Sequence, residues 1–329
     1  MKIFVTGGAG FIGSHLCRRL LDVGHSVKAY DNLVLGKKEL LTPCLGSNSF
    51  EFVEADLLDM QRLQSEMNGF DLVIHLAANS DISQGAARTD VDLNNGTIAT
   101  YHVLEAMRVL SVKQIIFAST SAIYGEAEIK PTPENYGPLL PISFYGASKL
   151  ACEGMASAFS HNCDISTWVY RFANIVGPHS THGAIHDFIT RLLKQPERLQ
   201  VLGNGTQRKS YLYVQDCIDG MVFGYHNTRS SITGHPFQVF NLASEGVTTV
   251  RFIAEEVVRQ MAPVTGVEAK LEFGEEDRGW VGDVPYTHLN GAQLATHGWQ
   301  PKYSSNEAVQ LAVSQIIAER TSDLRANKS

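Results

Sequence analysis

The chain has no apolar run approaching the roughly 18 residues that would cross a bilayer, so no membrane-spanning helix is read from it. Basic residues are in the minority. Over 329 residues 27 Lys+Arg stand against 34 Asp+Glu, a formal charge of −7, and this excludes a basic nucleic-acid binder. Cysteine is scarce: Cys17, Cys44, Cys152, Cys163 and Cys217 are odd in number, widely spaced and without a C-x-x-C pair. That pattern argues against a disulfide framework or a zinc site. A signal-peptide pattern is missing too, because the first short apolar segment breaks at once into Gly7-Gly8-Ala9-Gly10. The expectation is a soluble, unprocessed chain of the reducing cytoplasm that meets neither membrane nor nucleic acid. What is present is core-forming material: 44% of the residues are hydrophobic and 19% charged, the composition of a globular protein. At roughly 150 residues per domain, the length suggests two domains.

Short β-branched runs alternate with amphipathic stretches through the first half, the pattern of parallel strands joined by crossover helices. Strands are expected at Lys2 to Thr6, Ser26 to Tyr30, Phe50 to Glu54, Asp71 to His75, Lys113 to Ala118 and Ile165 to Arg171. Helical patterns cover Phe11 to Asp22, Asn94 to Leu110 and Tyr145 to Phe159. Six such strands predict an α/β fold, a Rossmann-type doubly wound parallel sheet. After about residue 175 the alternation stops, which predicts a cofactor domain over 1–175 and a smaller α+β substrate domain over 176–329. The strand-like Ser210 to Val214 and Gln238 to Leu242 could return to the first sheet. Thr321 to Ser329 is polar and is expected to fray.

Gly7, Gly10 and Gly13 follow the first strand and open a helix, where side chains would block a pyrophosphate. Asp31 stands 18 residues after Gly13 at the end of the second strand. A carboxylate there bonds a ribose 2′-OH and repels a 2′-phosphate, which selects NAD over NADP. Asp56-Leu57 could bracket an adenine, although an Asp at a strand end is as often a helix cap. Leu76-Ala77-Ala78 leaves room for a cofactor across the sheet edge, with plain packing an equal explanation. Tyr145 and Lys149 lie four residues apart and share one face of a helix. A tyrosine is a poor base at pH 7, but a neighbouring ammonium favours its phenolate. Ser119, Thr120 and Ser121 put a hydroxyl cluster at the carboxyl end of the fifth strand, where it could share a proton with Tyr145 or simply cap the strand. His182 and His186 have helical spacing, and His179 precedes them, but no H-E-x-x-H pattern or acidic third ligand accompanies them, so no metal is expected. Trp280 and Trp299 are read as packing residues.

These marks together, TGGAGFIG at 6–13, Asp31, HLAA at 75–78, NNGT at 94–97, YG at 124–125 and YGASK at 145–149, are similar to those of the extended short-chain dehydrogenase/reductase superfamily. Within it they resemble the nucleotide-sugar epimerases typified by UDP-glucose 4-epimerase, over nearly the whole chain. The resemblance implies NAD as cofactor, held by Gly7, Gly10, Phe11, Ile12, Gly13, Asp31, Asn32, Asp56, Leu57, Leu76, Ala77, Ala78, Asn95, Tyr145 and Lys149. It makes Thr120, Tyr145 and Lys149 catalytic, with Ser121 as helper. It places Asn174 at the substrate diphosphate and Ala184 and Phe188 at the nucleotide base. Most relatives carry Arg-Asp where this chain has Lys209-Ser210 after Arg208, so the diphosphate cation is Arg208 or Lys209, with Arg278 as a later phosphate ligand. Thr287 falls near a position that gates N-acetyl sugars. The helices around 94–110 and 145–159 match those that form a homodimer in the family.

The implied reaction on a UDP-sugar is C4 inversion through a 4-keto sugar, with Tyr145 taking the 4-OH proton and Lys149 holding the ribose and lowering the tyrosine pKa. A 4,6-dehydratase needs an Asp-Glu pair where this chain has Ser121-Ala122, which disfavours dehydration. A UDP-glucuronate 4-epimerase stays open. A non-catalytic NAD-binding protein is disfavoured by the intact Thr120, Tyr145 and Lys149.

Overall fold

A computed structural model describes residues 1–229, 236–279 and 282–326. Trp280 and the last three residues of the tail lie outside the described residues. Six parallel strands form where the β-branched runs predict them: β1 (Lys2–Thr6), β2 (Ser26–Asp31), β3 (Phe50–Glu54), β4 (Leu72–His75), β5 (Gln114–Thr120) and β6 (Ser166–Phe172). Among the described residues a seventh, Phe237–Leu242, pairs in parallel outside β6, so the order runs from that edge through β6, β5, β4, β1 and β2 to β3. The strands are apolar on both faces, as a sheet covered by helices on each side must be: Phe4, Val5, Val73, Ile115, Ile116, Phe117 and Val169 are all buried. The chain reverses direction across the sheet between β1 and β4. That switch point opens a crevice at the carboxyl ends of the strands, marked by Thr6, Asp31, His75 and Thr120.

Tyr211–Tyr213 does not join the large sheet; it pairs in parallel with Asn174–Val176. Next to it, Arg208–Lys209 lies between Thr248–Thr249 and Tyr286–Thr287, and Lys270–Phe273 pairs with Arg198–Val201. Of these segments Asn174–Val176, Lys209 and Tyr211, with the helix Ala184–Lys194, line the wall that faces the crevice.

The first crossover helix is Phe11–Asp22, as its periodicity predicts. The helix that carries Tyr145 and Lys149 runs longer than predicted, Phe144–Cys163, because the Ser143 hydroxyl caps it by accepting from the Gly146 N–H at 3.1 Å. The stretch expected as one helix from Asn94 begins instead with a π-helical turn, Leu93–Ile98, before the α-helix Ala99–Leu110. The tail also departs from expectation. Helix Ser305–Ala326 continues through the first polar residues of the tail, because Glu307 closes a box on the Ser304 N–H and hydroxyl and Ala308, Val309, Ala312, Val313 and Ile316 are buried. A nucleated and packed helix extends at little cost.

Candidate active site

The glycine turn is shaped by contacts that tolerate no side chain. Gly7 has φ +69°, and a Cβ on it would stand 2.8 Å from the Ala77 amide nitrogen. On Gly13 a Cβ would run into the Gly7 carbonyl oxygen. Gly10 is the N-cap of Phe11–Asp22 and contributes no side-chain cap, so the first amides of the helix face the crevice without an intrahelical partner. At the end of β2 the Asp31 carboxylate is buried. It accepts from the Ala9 N–H at 3.0 Å and the Leu33 N–H at 2.9 Å. Burial raises its pKa, and those two amides pull it back. The Asn32 amide donates to Asp56 at 2.9 Å, and Asp56 also caps the Leu58 N–H.

Beneath the turn, His75 is fully buried between two hydroxyls, with Nδ1 2.6 Å from Thr6 Oγ1 and Nε2 3.0 Å from Thr100 Oγ1. Burial, with Lys149 nearby, holds its pKa down at about 3, so the ring is neutral. Thr6 Oγ1 in turn accepts from the Ala77 N–H at 3.3 Å, and the Cys152 thiol donates to Thr100 at 3.2 Å. A polar string therefore links the glycine turn to the helix Phe144–Cys163.

Thr120 ends β5 in extended conformation, and its hydroxyl accepts from the Ala122 N–H at 3.1 Å. Tyr145 and Thr120 line the same cleft. The Lys149 ammonium is buried and donates to the Ala118 carbonyl at 2.7 Å. The expected lowering of the tyrosine pKa by Lys149 is not what the protein groups alone deliver. Burial dominates and pushes Tyr145 up to about 12, Thr120 pulls it down, and Asp92 and Cys152 raise it further. Burial also lowers the Lys149 pKa.

The glycine turn, Asp31, Asn32, Asp56, Thr120, Tyr145 and Lys149 line one cleft of about 1310 Å³; the buried Thr6, His75, Thr100 and Cys152 do not. Gly7, Gly10, Phe11, Ile12, Gly13, Asp31, Asn32, Asp56, Leu57, Leu76, Ala77, Ala78 and Asn95 form one end, and Thr120, Tyr145 and Lys149 form its middle. Asn174, Ala184, Phe188 and Lys209 stand on the other wall. The cradle fits the cofactor: a dinucleotide needs backbone amides without side chains at its pyrophosphate and an acceptor at its ribose, and both are present. Ser121, Arg208 and Arg278 are not among the lining residues. Arg208 and Lys209 are consecutive in a strand and project to opposite sides. Lys209 takes the cleft side and pairs with buried Asp283 at 2.6 Å, while the exposed Arg208 guanidinium lies 4.8 Å over the Tyr286 ring. Arg278 pairs outside the cleft with Glu126 at 2.6 Å, and Ser121 opens the 3₁₀ turn Ser121–Tyr124. Thr287 sits beside Lys209 in the short ladder, away from the lining. His182 and His186 line the cleft, whereas His179 meets Ser14 at 3.1 Å. Among the described residues no group of three His, Cys, Asp or Glu side chains is arranged to hold a metal. Trp299 is buried and packs on Gly220.

Sequence reasoning missed Arg191 and Gln207, both of which line the cleft. Arg191 was within reach, one turn after Phe188 on the same helix. Gln207 becomes visible only once the strand register is known.

Residues 3–243 of this chain match the NAD dependent epimerase/dehydratase family. The chain belongs to that family. NAD is accordingly its cofactor, and it is an NAD-dependent enzyme of the epimerase type. The chain is 28% identical over 320 residues to a putative UDP-glucose 4-epimerase of Methanocaldococcus jannaschii, across 94% of this chain and 97% of that one. Its fold superposes on a crystal structure of UDP-galactose 4-epimerase with a TM-score of 0.85 and 35% identity, covering 97% of this chain and 99% of the other. A further solved structure, MoeE5 in complex with UDP-glucuronic acid and NAD, matches at a TM-score of 0.81 and 26% identity, covering 98% of this chain and 100% of the other.

Proposed function

We propose that this protein inverts C4 of a UDP-hexose, UDP-glucose/UDP-galactose or the N-acetyl forms, through a 4-keto sugar. The observation that carries the reading is the placement of Thr120, Tyr145 and Lys149 together midway along a cleft with the glycine turn and Asp31 at one end and Asn174 and Lys209 on the opposite wall. NAD, when bound, supplies a reversible hydride acceptor and a positive ring that favours the phenolate. The amides of Gly10 to Gly13 would hold its pyrophosphate, Asp31 and Asn32 its adenosine ribose, Asp56 and Leu57 its adenine, and Lys149 its nicotinamide ribose near Asn95. Tyr145 takes the C4 hydroxyl proton and returns it after the keto ring has turned over, while Thr120 orients the phenol and the sugar oxygen. Lys209 and Asn174 anchor the diphosphate through that rotation. Ala184 and Phe188, at the start of Ala184–Lys194, cover the base. Ser121 and Ala122 offer no acid and base for removing water across C5 and C6, which speaks against a 4,6-dehydratase.

The UDP-glucuronate 4-epimerase reading is the second one to carry into the test, because a neighbour of the same fold was crystallised with UDP-glucuronic acid. A homodimer in the cytoplasm completes the proposal. Tyr101, Val109 and the small residues Ala147, Ala151, Gly154 and Ala158 lie exposed on the two helices Ala99–Leu110 and Phe144–Cys163, a surface on which helices of a second copy can approach closely.

The purified protein is incubated with UDP-glucose, UDP-N-acetylglucosamine and UDP-glucuronate in turn, without added NAD, and anomeric proton NMR follows C4 inversion. Equilibration of one sugar with its C4 epimer supports the reading and names the substrate. Tyr145→Phe is expected to retain NAD and lose most turnover; unchanged turnover in that variant removes Tyr145 from the mechanism. No inversion of any of the three sugars, even with NAD supplied, overturns the reading for these substrates.

A further inference from the structure

The end of β5 is held at three consecutive residues, each by a different partner. The Ala118 carbonyl accepts from the Lys149 ammonium at 2.7 Å, the Ser119 hydroxyl donates to Glu153 Oε1 at 2.5 Å, and the Thr120 hydroxyl accepts from the Ala122 N–H at 3.1 Å. Ala118, Ser119 and Thr120 all line the cleft, whereas Glu153 does not. The Ser119 hydroxyl is therefore turned behind the cleft wall, onto a buried carboxylate, as the alternation of side chains along a strand requires when Thr120 faces the other way.

Glu153 stands one turn after Lys149 on the helix Phe144–Cys163. Ser119 and Arg171 are direct partners across the ladder of β5 and β6, so their side chains leave the same face of the sheet and converge on this one carboxylate. The Arg171 guanidinium takes both Glu153 oxygens, at 3.0 and 2.7 Å, and that bidentate pair already answers the buried charge of each partner. The Ser119 bond is not needed for charge balance. It adds a second tie between helix and strand end, beside the one from Lys149 to Ala118. We propose that Ser119 and Glu153 are positioning residues of the reaction: the two ties set the register between the helix that carries Tyr145 and the strand end that carries Thr120, so that phenol and hydroxyl meet at one sugar oxygen. A misplacement of about 1 Å between groups that must meet there costs up to about a hundredfold in rate. Glu153 can serve as the fixed point because Arg171 is itself pinned, by the Tyr124 hydroxyl and the Glu134 carbonyl, both at 2.8 Å.

Ser119→Ala removes the second tie and leaves the Glu153–Arg171 pair whole. In the NAD-bound protein its kcat, for the sugar that the wild type inverts, is expected to fall about tenfold to a hundredfold. KM is expected to stay within about twofold, since Asn174 and Lys209 on the opposite wall are untouched. Rates are taken on folded protein, below the urea transition, where a purely structural link would leave kcat unchanged. This assignment rests on Thr120 and Tyr145 as the reacting groups, so a second readout uses no substrate: amide exchange by NMR at Ala122, whose N–H the Thr120 hydroxyl holds. The reference amide is Gly146, capped by Ser143 on the helix. Faster exchange at Ala122 with unchanged exchange at Gly146 supports the proposal. Wild-type kcat in Ser119→Ala, or wild-type exchange at Ala122, overturns it. Failure of the epimerase reading itself shows as no inversion by the wild type, and the Ala122 amide then decides alone. Should Ser119→Ala fail to fold, Ser119→Cys, close in volume but only a weak donor, carries both measurements with the same outcomes.

Discussion

Lys209 meets the cleft with its ammonium already on Asp283, and this pairing governs how it would receive a diphosphate. An anion arriving there finds a cation whose desolvation is partly offset and whose direction is fixed. In Lys209→Ala, KM for the nucleotide sugar is expected to rise about tenfold to a hundredfold, the range of one charged hydrogen bond, with Asp283 left facing the anion. Arg208→Ala should change KM by no more than about fivefold, as befits an exposed cation stacked on Tyr286. Steady-state kinetics on the two variants separate them, and equal effects would remove the distinction. At this scale the sequence was informative about chemistry and silent about direction. Both cations were visible as candidates, but which one faces the cleft depends on the parity of a two-residue strand, and no local pattern encodes that. Arg278 was read as a phosphate ligand by its neighbours in the chain, yet Glu126 holds it elsewhere.

The elements were legible wherever one period ran uninterrupted. The alternation of apolar strand and amphipathic helix located β1 to β6 within a residue or two, and the glycine turn announced the first crossover helix. The pairings of Tyr211–Tyr213 and of the short ladders around Arg208 were not legible, because two- and three-residue strands have too few positions to show a period. Between the strands and the helix Phe144–Cys163 lies a buried unit that the sequence hides altogether. The Arg171 side chain on β6 binds Glu153 on Phe144–Cys163, the Tyr124 hydroxyl at 2.8 Å and the Glu134 carbonyl at 2.8 Å. The Tyr124 hydroxyl donates to Asn241 on the edge strand at 2.8 Å. Glu153→Gln leaves the guanidinium buried without its counter-charge and is expected to cost about 3–5 kcal/mol of stability, measured by urea unfolding with the NAD content held equal. A loss below about 1 kcal/mol would mean that the pair contributes no more than a surface one.

For the whole molecule, the proposed homodimer makes a mass prediction. Sedimentation velocity should give twice the mass of the chain, and Tyr101→Glu, which puts a charge into the middle of the exposed face beside Phe159, should give the single-chain mass with the cleft intact. A wild-type protein that sediments as one chain at micromolar concentration ends the proposal. The π-helical turn Leu93–Ile98 has a consequence of its own. An i→i+5 turn holds one residue more than the α-helical path and so offsets everything after it by about 100°. The apolar stripe of Val103, Leu104 and Met107 is thus out of phase with Asn94 and Asn95, and each set answers to a different neighbour, the stripe to the sheet and the asparagines to the cleft. The extra residue works as a gear between packing and chemistry: deleting it would restore a regular helix, and keeping the stripe on the sheet would then turn Asn95 away from the cleft.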